Sequence, residues 1–433
     1  MSKRKFAFDT QQLHAGQTPD GDFRARAVPI YQSTSFTFRD FNTAKDINTF
    51  DNCTDYEYSR TGNPTCSVLE ARIATLEGGT AALAVSSGMA AITYAILNVC
   101  QTGDDIVAAR TLYGGTYGLF VHTLPRHGIT VTLVDPDDHA AIAAAIGPRT
   151  KAIYTESIGN PGGNIIDIPA LAAIARAAGI PLIVDNTFST PYLFRPIEHG
   201  ANVVIHSATK YIGGHGTTIG GLIVDGGNFD WGNGKFPGFT TPDGACAGIT
   251  HWDKWRDYPG VGNFAFVMKT RLQYLRDMGA ALSPFNAFLL LQGIETLSLR
   301  VQRQIENAAR VAVHLAASKH VARVQYAGLA DSPYYALAQK YYPKGPGAIF
   351  SFDLKGGATA AKTFTETVKV FSFLANVGDS KSLVVHPASV THPQLSAADQ
   401  LAAGITPGSL RISIGTEAIE DLLWDIDQAF AAL

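Results

Sequence analysis

Cysteine is scarce in this sequence. The 433 residues include only Cys53, Cys66, Cys100 and Cys246, and no two of them form a CxxC pair. This spacing excludes a disulfide framework and a cysteine-based zinc site, and it is typical of proteins from reducing compartments. We therefore expect a cytoplasmic protein.

The sequence also lacks an excess of charge of one sign. Its 34 lysines and arginines face 37 aspartates and glutamates, which leaves a formal net charge of -3 and no run of like charges. This balance argues against a nucleic-acid or membrane-surface partner, so we expect small-molecule substrates. The histidines show neither HExxH nor another paired spacing, and we predict no metal site.

Long hydrophobic runs are rare as well. Residues 78–103 carry no charge and are long enough to raise the question of a membrane span. The central "SSGM" predicts a strand, a turn and a helix instead. The basic N-terminal segment meets Asp9 and two glutamines before any apolar stretch of signal-peptide length, so we expect no signal peptide.

The chain divides by pattern into three parts. Residues 1–62 are aromatic and weakly periodic, which predicts an arm that contacts a neighbouring subunit. Residues 63–264 contain the short apolar runs "AALAV", "DIVAA", "ITVTLV", "KAIYTES", "PLIVDN", "VVIHS" and "GLIVD", with helix-like segments between several of them. Runs without alternation predict a mostly parallel sheet covered on both faces, a doubly wound α/β domain. Long helical patterns and then strands predict a smaller α+β domain at 265–433.

Polar residues gather directly after several of these strands, where open parallel sheets bind their ligands. They are Ser86 to Met89 after "AALAV", Glu156 and Asn160 after "KAIYT", Asp185 in "PLIVDN", and Ser207, Thr209 and Lys210 after "VVIH". The "SSGM" turn opens a predicted helix, whose N-terminal amides favour an anion such as phosphate. Hydroxyls of Ser207 and Thr209 are able to join the same cup.

Lys210 and Asp185 add two further functions. A lysine withdrawn from water becomes a nucleophile that condenses with an aldehyde. A neighbouring aspartate holds a proton on a pyridine nitrogen and keeps the ring electron-withdrawing. Phosphate, aldehyde and pyridine nitrogen together predict pyridoxal phosphate as the cofactor.

Several motifs, in order along nearly the whole chain, resemble the Cys/Met-metabolism family of pyridoxal-phosphate enzymes. They are "DYEYSRTGNPT", "SSGMAA", "LYGGTY", "ESIGNP", "VDNTF", "HSATKYIGGHG", and "HPASVTH" through "LRISIGTE". The resemblance implies fold type I with a seven-stranded sheet, and a homotetramer whose active sites are shared between subunits.

The resemblance also implies roles for individual residues. Lys210 would bind the cofactor covalently and shuttle protons, with Asp185 on the pyridine nitrogen and Tyr113 stacked on the ring. The phosphate cup would comprise Ser87, Gly88, Met89, Ser207 and Thr209, together with Tyr58 and Arg60 from an adjacent subunit. Asn160 would contact the phenolic oxygen side of the ring, Arg411 and Asn376 would bind substrate, and Tyr113 or Tyr58 would assist proton transfer.

Arg411 has support from its own strand pattern. In "LRISIG" it alternates with Leu410, Ile412 and Ile414, so it can point away from their core and need not be buried.

Within the family, "FLANVGDSKSLVVHPASVTHPQL" and "NAFLLLQGIETLSLR" are most similar to the branch that exchanges the acetate of O-acetylhomoserine for sulfide in methionine biosynthesis. Asn376 stands where γ-lyases more often carry serine, and Gly115 where methionine γ-lyases usually carry cysteine. Cystathionine γ-synthase and the methionine and cystathionine γ-lyases are the alternatives. Residues 239–260 are less familiar and leave the acyl group and the thiol acceptor open.

Two alternatives come from other classes. A nicotinamide-dependent dehydrogenase shares the doubly wound sheet, but the sequence lacks GxGxxG after its first strand. A binding protein that keeps only the fold would have no use for this lysine, aspartate and arginine together.

Overall fold

The computed structural model describes residues 5–19, 21–393 and 396–433. The last two residues of the "HPASVTHPQL" segment, 394 and 395, lie outside this range, as do residues 1–4 and 20 of the predicted arm. The strands are β1 (Ala81–Val85), β2 (Asp105–Ala109), β3 (Thr130–Val134), β4 (Thr150–Glu156), β5 (Leu182–Asp185), β6 (Val203–Ser207), β7 (Gly221–Asp225), β8 (Val321–Gln325), β9 (Ile349–Leu354), β10 (Ser372–Phe373), β11 (Leu383–Val385) and β12 (Ser409–Ser413).

Helices surround both sheets that these strands form. They are α1 (Phe8–His14), α2 (Phe41–Asn48), α3 (Pro64–Glu77), α4 (Gly88–Val99), α5 (Gly114–Gly118), α6 (His139–Ala145), α7 (Ile168–Ala178), α8 (Thr190–Leu193), α9 (Pro237–Thr240), α10 (His251–Trp255), α11 (Ala265–Lys269), α12 (Arg276–Met278), α13 (Pro284–Glu295), α14 (Leu297–Ala316), α15 (Tyr335–Tyr341), α16 (Gly357–Thr367), α17 (Ala397–Ala402) and α18 (Ile419–Phe430). Short π-helical turns at Leu119–Thr123, Thr270–Leu275 and Pro387–Thr391 and 3₁₀ turns at Leu124–His127, Pro196–His199 and Gly244–Cys246 complete the set.

The central sheet has seven strands in the order β1-β7-β6-β5-β4-β2-β3. All seven coincide with the apolar runs of the sequence, so the predicted α/β fold is confirmed. Strands β2 to β6 are parallel, and β7 runs antiparallel to both β1 and β6. The carboxyl ends of β1, β4, β5 and β6 therefore meet at one edge of the sheet.

Local sequence explains the elements that carry this edge. In α7, Asp167 accepts a hydrogen bond from the amide of Ala170, Pro169 lies in the first turn, and Gly179 ends the helix at φ 64°. The uncharged stretch 78–103 folds as β1, a turn and α4, as predicted. No helix in the described ranges combines the length and apolarity that a membrane crossing requires.

The second sheet lies in the C-terminal part and has the order β10-β11-β12-β9-β8. Its inner strands are antiparallel, and α14, α16 and α18 contact its strands or one another, which confirms a smaller α+β unit. The short helices α1 and α2 lie within the segment that was predicted to be an arm. The boundaries at residues 62 and 264 stay predictions.

Residues 239–260 pack against the large sheet rather than projecting from it. Phe239, Cys246 and Trp255 are buried in an apolar cluster with residues of β1, β2 and α4. The Asp243 carboxylate accepts hydrogen bonds from His251, Gln273 and the amide of Ala245, at 2.8, 2.6 and 2.9 Å. These bonds tie the segment to the chain around residue 273.

Candidate active site

A cavity of about 410 Å³ opens at the carboxyl ends of β4, β5 and β6. Its volume falls within the usual range for a small-molecule site. The residues predicted from sequence that line it are Ser87, Gly88, Met89, Tyr113, Asn160, Asp185, Ser207, Thr209, Lys210, Asn376 and Arg411. Glu156 and Thr187 also line it, and within the described chain no residue of 239–260 does.

Lys210 extends into this cavity from the turn after β6. Burial, and then the positive charge of Arg411, lower the pKa of its amine to about 8. Its Nζ donates a hydrogen bond of 2.5 Å to Oδ1 of Asn376, which is a neutral acceptor. The amine is therefore held in place without a carboxylate that would favour its charged form.

The glycine-rich turn after Lys210 is fixed by a buried arginine that sequence reasoning missed. Arg300 on α14 donates to the carbonyls of Tyr211, Ile212 and Gly293 at 2.8, 3.3 and 2.6 Å. A Cβ on Gly214, whose φ is +71°, would lie 2.0 Å from the guanidinium. The glycine therefore makes room for the arginine that anchors this turn.

Replacing Arg300 by methionine should destabilise the fold. The change leaves the carbonyls that it now binds without a donor, and burial makes such a loss costly. We expect a loss of about 3 kcal/mol in the free energy of unfolding, measured by urea denaturation. Arg303→Met, at an exposed position of the same helix, is the control, and equal midpoints for the two variants would contradict the assigned contact.

The N-terminus of α4 forms an anion-binding corner beside β6. The Ser87 hydroxyl caps the helix by accepting from the Ala90 amide at 3.1 Å, and by helix geometry the amides of Gly88 and Met89 have no partner within the helix. A Cβ on Gly88 would lie 2.7 Å from Cβ of Ser207, and one on Gly221 would lie 2.0 Å from the Ser87 carbonyl oxygen. Two glycines thus allow this terminus to approach Ser207 closely.

The two predicted hydroxyls occupy different settings. The Thr209 hydroxyl already bonds Gly220, donating to its carbonyl at 3.3 Å and accepting from its amide at 3.1 Å. The amide of Ser207 donates to the hydroxyl of Thr187 at 2.8 Å. Thr187 was not predicted, although it follows Asp185 by two residues in "VDNTF", and it links the ends of β5 and β6.

Asp185 is a buried carboxylate whose side chain is held from two sides. Burial raises its pKa, while hydrogen bonds from the hydroxyl and amide of Thr187, at 2.5 and 3.0 Å, oppose that rise. The Tyr154 hydroxyl approaches its other oxygen at 3.5 Å. A rigidly held carboxylate of this kind can receive a hydrogen bond from a protonated ring nitrogen.

Glu156 is a second buried carboxylate, paired in register with Asp185 on the neighbouring strand. Burial, reinforced by the charge of Asp185, holds its pKa well above the usual range. Its Oε1 accepts a hydrogen bond of 2.5 Å from the amide of Tyr113. Glu156 therefore orients the start of α5, a role that the sequence did not reveal. A Cβ on Gly115 would lie 2.5 Å from the Tyr113 ring, so the glycine at this position makes room for the ring.

Arg411 reaches the cavity from β12 of the second sheet. It is only 5% exposed, so the expectation that it need not be buried was wrong: its side chain meets Asn160, which follows β4 of the large sheet. Its Nη1 donates to Oδ1 of Asn160 at 3.0 Å, and burial lowers its pKa to about 10. A guanidinium in this position can bind a substrate carboxylate through its two-pronged face.

Tyr58 and Arg60 lie outside the cavity within one chain. The Arg60 guanidinium is 5.4 Å from the centre of the Tyr58 ring and donates to the Arg276 carbonyl. Tyr58 is 41% exposed. These two residues thus present a cation and a phenol on the surface of the arm.

The side chains present fit pyridoxal phosphate. The Lys210 amine, the buried Asp185 carboxylate and the glycine-lined corner at α4 match an aldehyde, a pyridine nitrogen and a phosphate. Their arrangement on a mostly parallel seven-stranded sheet with a smaller C-terminal sheet defines a pyridoxal phosphate-dependent enzyme of fold type I.

Comparison with known proteins identifies the family. Residues 9–431 match the model of the Cys/Met metabolism PLP-dependent enzymes, and the chain belongs to this family. It is 48% identical to an O-acetyl-L-homoserine sulfhydrylase of Leptospira meyeri and 48% identical to a homocysteine synthase of Schizosaccharomyces pombe, each across 98% of this chain and 97% of the relative.

A solved structure agrees in fold. It is named O-acetylhomoserine (thiol)-lyase, comes from Campylobacter jejuni and carries an N'-pyridoxyl-lysine-5'-monophosphate residue. It superposes with a TM-score of 0.94 at 38% identity, covering 98% of this chain and 100% of that one.

Proposed function

We propose that the protein converts O-acetyl-L-homoserine and sulfide into L-homocysteine and acetate, a γ-replacement in methionine biosynthesis. The observation that carries the proposal is the meeting of Lys210, Asp185 and Arg411 in one cavity. The names of the 48% identical relatives favour this reaction over cystathionine synthesis and γ-elimination.

Lys210 acts first as the nucleophile that attaches the cofactor and then, once the substrate's amino group has displaced it, as the base at Cα. When bound, pyridoxal phosphate supplies an electron sink that stabilises negative charge on the substrate carbons. Lys210 removes the Cα proton, and a proton is then lost at Cβ before acetate departs from Cγ. After sulfide has added at Cγ, a proton returns to Cβ and the same amine returns a proton to Cα.

The other side chains hold the cofactor during these proton transfers. Asp185 would accept a hydrogen bond from the protonated pyridine nitrogen, and Tyr113 would stack on the ring. Ser87, Gly88, Met89, Ser207 and Thr209 would hold the phosphate, and Asn160 would contact the phenolic oxygen. Tyr113 or Tyr58 assists proton transfer.

Arg411 and Asn376 bind the amino-acid substrate. The Arg411 fork pairs with the α-carboxylate, and the Asn160 amide oxygen at 3.0 Å sets its orientation. The Asn376 amide at 2.5 Å from Nζ holds Lys210. Both contacts join the second sheet to the large one across the cavity.

The proposed assembly is a cytoplasmic homotetramer in which Tyr58 and Arg60 complete the phosphate cup of an adjacent subunit. Their exposure on the arm supports this placement, because neither residue lines the cavity of its own chain. The partners are small molecules.

Product analysis tests the reaction. The purified holoenzyme is incubated with O-acetylhomoserine and sulfide, and separately with methionine alone, and homocysteine, acetate and 2-oxobutyrate are quantified. We expect equal amounts of homocysteine and acetate from the first mixture and little 2-oxobutyrate from the second. Faster 2-oxobutyrate release from methionine than homocysteine formation would show a γ-lyase instead. Parallel assays with the succinyl and phospho esters of homoserine define the preference for the leaving group. Assays with cysteine in place of sulfide define the preference for the thiol acceptor.

The lowered pKa of Lys210 predicts how cofactor capture depends on pH. Only the neutral amine attacks an aldehyde. With a pKa of about 8, roughly a tenth of the Lys210 amines are neutral at pH 7. For an ordinary lysine the neutral fraction at this pH is below about one in a thousand. The rate at which pyridoxal phosphate attaches to the apoprotein should rise up to about pH 8 and then level off. Stopped-flow absorbance measures this rate. Nα-acetyllysine in solution is the reference, and a rate that climbs alongside it to pH 10 would contradict the depressed pKa.

A further inference from the structure

Three buried polar residues form a cluster beneath the cavity. Glu77, Asn186 and His206 are each 0% exposed, and none of them lines the cavity. We call them the Glu77 cluster. They come from the end of α3, the residue after β5 and the interior of β6.

The Glu77 carboxylate is the centre of this cluster. Its Oε1 lies 2.6 Å from Nε2 of His206 and accepts a hydrogen bond of 2.9 Å from Nδ2 of Asn186. The same Nδ2 group donates to the carbonyl of Phe194 at 2.8 Å. Two donors that converge on one oxygen identify Glu77 as an acceptor, with the hydrogen of the imidazole on Nε2.

A carboxylate in this position is unfavourable for folding by itself. Glu77 is the last residue of α3, where the helix dipole disfavours negative charge, and burial removes its hydration. Within the described residues, Oε2 of Glu77, Oδ1 of Asn186 and Nδ1 of His206 make no hydrogen bond. An apolar side chain would fill this space at lower cost, so the cluster calls for a reason beyond packing.

The cluster is joined directly to two residues of the site. Asn186 follows Asp185, and His206 precedes Ser207. The backbone amide of Asn186 donates a hydrogen bond of 2.8 Å to the Ile205 carbonyl, and this bond connects the ends of β5 and β6 next to the cluster.

We propose that Glu77 is a positioning residue of the cofactor site: through His206 and Asn186 it fixes the strand ends that present Ser207 to the phosphate and Asp185 to the pyridine nitrogen. The inference rests on the proposed function only for the placement of the cofactor. It requires no substrate, so it is tested on the resting enzyme.

The test compares two buried carboxylates. Asp425, on α18, is likewise 0% exposed and does not line the cavity. Its carboxylate accepts hydrogen bonds from the backbone amides of Lys369, Val370 and Phe371. Glu77→Ala and Asp425→Ala both remove a buried acceptor and should lower Tm. The cofactor is removed with hydroxylamine, and pyridoxal phosphate is titrated back by absorbance and fluorescence.

We expect Glu77→Ala to raise the Kd for pyridoxal phosphate by tenfold or more and to shift the absorption maximum of the bound cofactor, with Asp425→Ala unchanged in both. Glu77→Gln keeps an acceptor oxygen and should recover most of the affinity. Equal Kd values for Glu77→Ala and Asp425→Ala overturn the proposal. If Glu77→Ala does not fold, His206→Gln replaces it with an expected rise of a few fold in the Kd, and a wild-type Kd in that variant overturns the proposal. A wild-type protein that takes up no pyridoxal phosphate refutes the proposed function instead.

Discussion

Replacing Lys210 by alanine should lower kcat for homocysteine formation by about 10³-fold or more while leaving the fold intact. In the proposed mechanism the amine serves as nucleophile toward the cofactor and as base at Cα, and the proton transfer alone is worth about 10²–10⁴-fold. The side chain lines the cavity and is half-buried rather than part of the apolar core, so we expect no loss of stability. Steady-state assays and thermal unfolding measure the two effects.

The specificity of this lysine is tested by borohydride labelling. Lys269 is the natural internal control, since burial lowers its pKa to about 7, yet its Nζ is bound to the backbone and side-chain oxygens of Asn98, both at 3.0 Å, outside the cavity. Reduction of the yellow holoenzyme should leave a pyridoxyl group on the peptide containing Lys210 and none on that containing Lys269. Normal turnover by Lys210→Ala, or a label on Lys269, would refute the assignment.

The large sheet was predictable because its strands are short apolar runs bounded by turn residues. Six of the seven runs bury both faces, so no alternation was needed to place them, whereas the edge strand β3 exposes Thr130 and Thr132 on alternate positions. Strand direction was harder to obtain. The tetrapeptide "LIVD" occurs at residues 182–185 and again at 222–225, yet β5 is parallel to its neighbours and β7 is antiparallel. Asp225 consequently lies opposite Val203, at the far edge of the sheet from Asp185.

Contacts between distant parts of the chain could not be predicted from local pattern. The alternation in "LRISIG" correctly separates Arg411 from the core face of β12, but the sequence does not say that another domain covers its own face. In the sequence, Arg300 looks like any arginine on an amphipathic helix. The fold brings it to the turn after Lys210, where it contacts Tyr211, a residue 89 positions earlier in the chain. The family resemblance supplied the cavity residues, and the tertiary structure supplied their supports.

The repeated tetrapeptide also provides a matched experiment for Asp185. Asp185→Asn keeps size and hydrogen-bonding capacity but removes the negative charge that, in the proposed mechanism, holds a proton on the pyridine nitrogen. Without that proton the ring is a weaker electron sink, and we expect kcat to fall by about 10²–10³-fold, the usual cost of losing one electrostatic contact to developing charge. Asp225→Asn changes the same residue type at the end of an identical run, buried to 2% exposure at the opposite edge.

The two variants separate electrostatic support of the cofactor from support of the fold. Burial raises the pKa of Asp225 to about 7, so Asp225→Asn removes a charge that the fold already disfavours and should leave kcat close to that of the wild type. N-Methylated pyridoxal phosphate, whose ring nitrogen is permanently cationic, should restore part of the activity of Asp185→Asn and none to Lys210→Ala. Equal losses in the two asparagine variants, or no rescue of Asp185→Asn by the methylated cofactor, would mean that Asp185 acts on folding rather than on the ring.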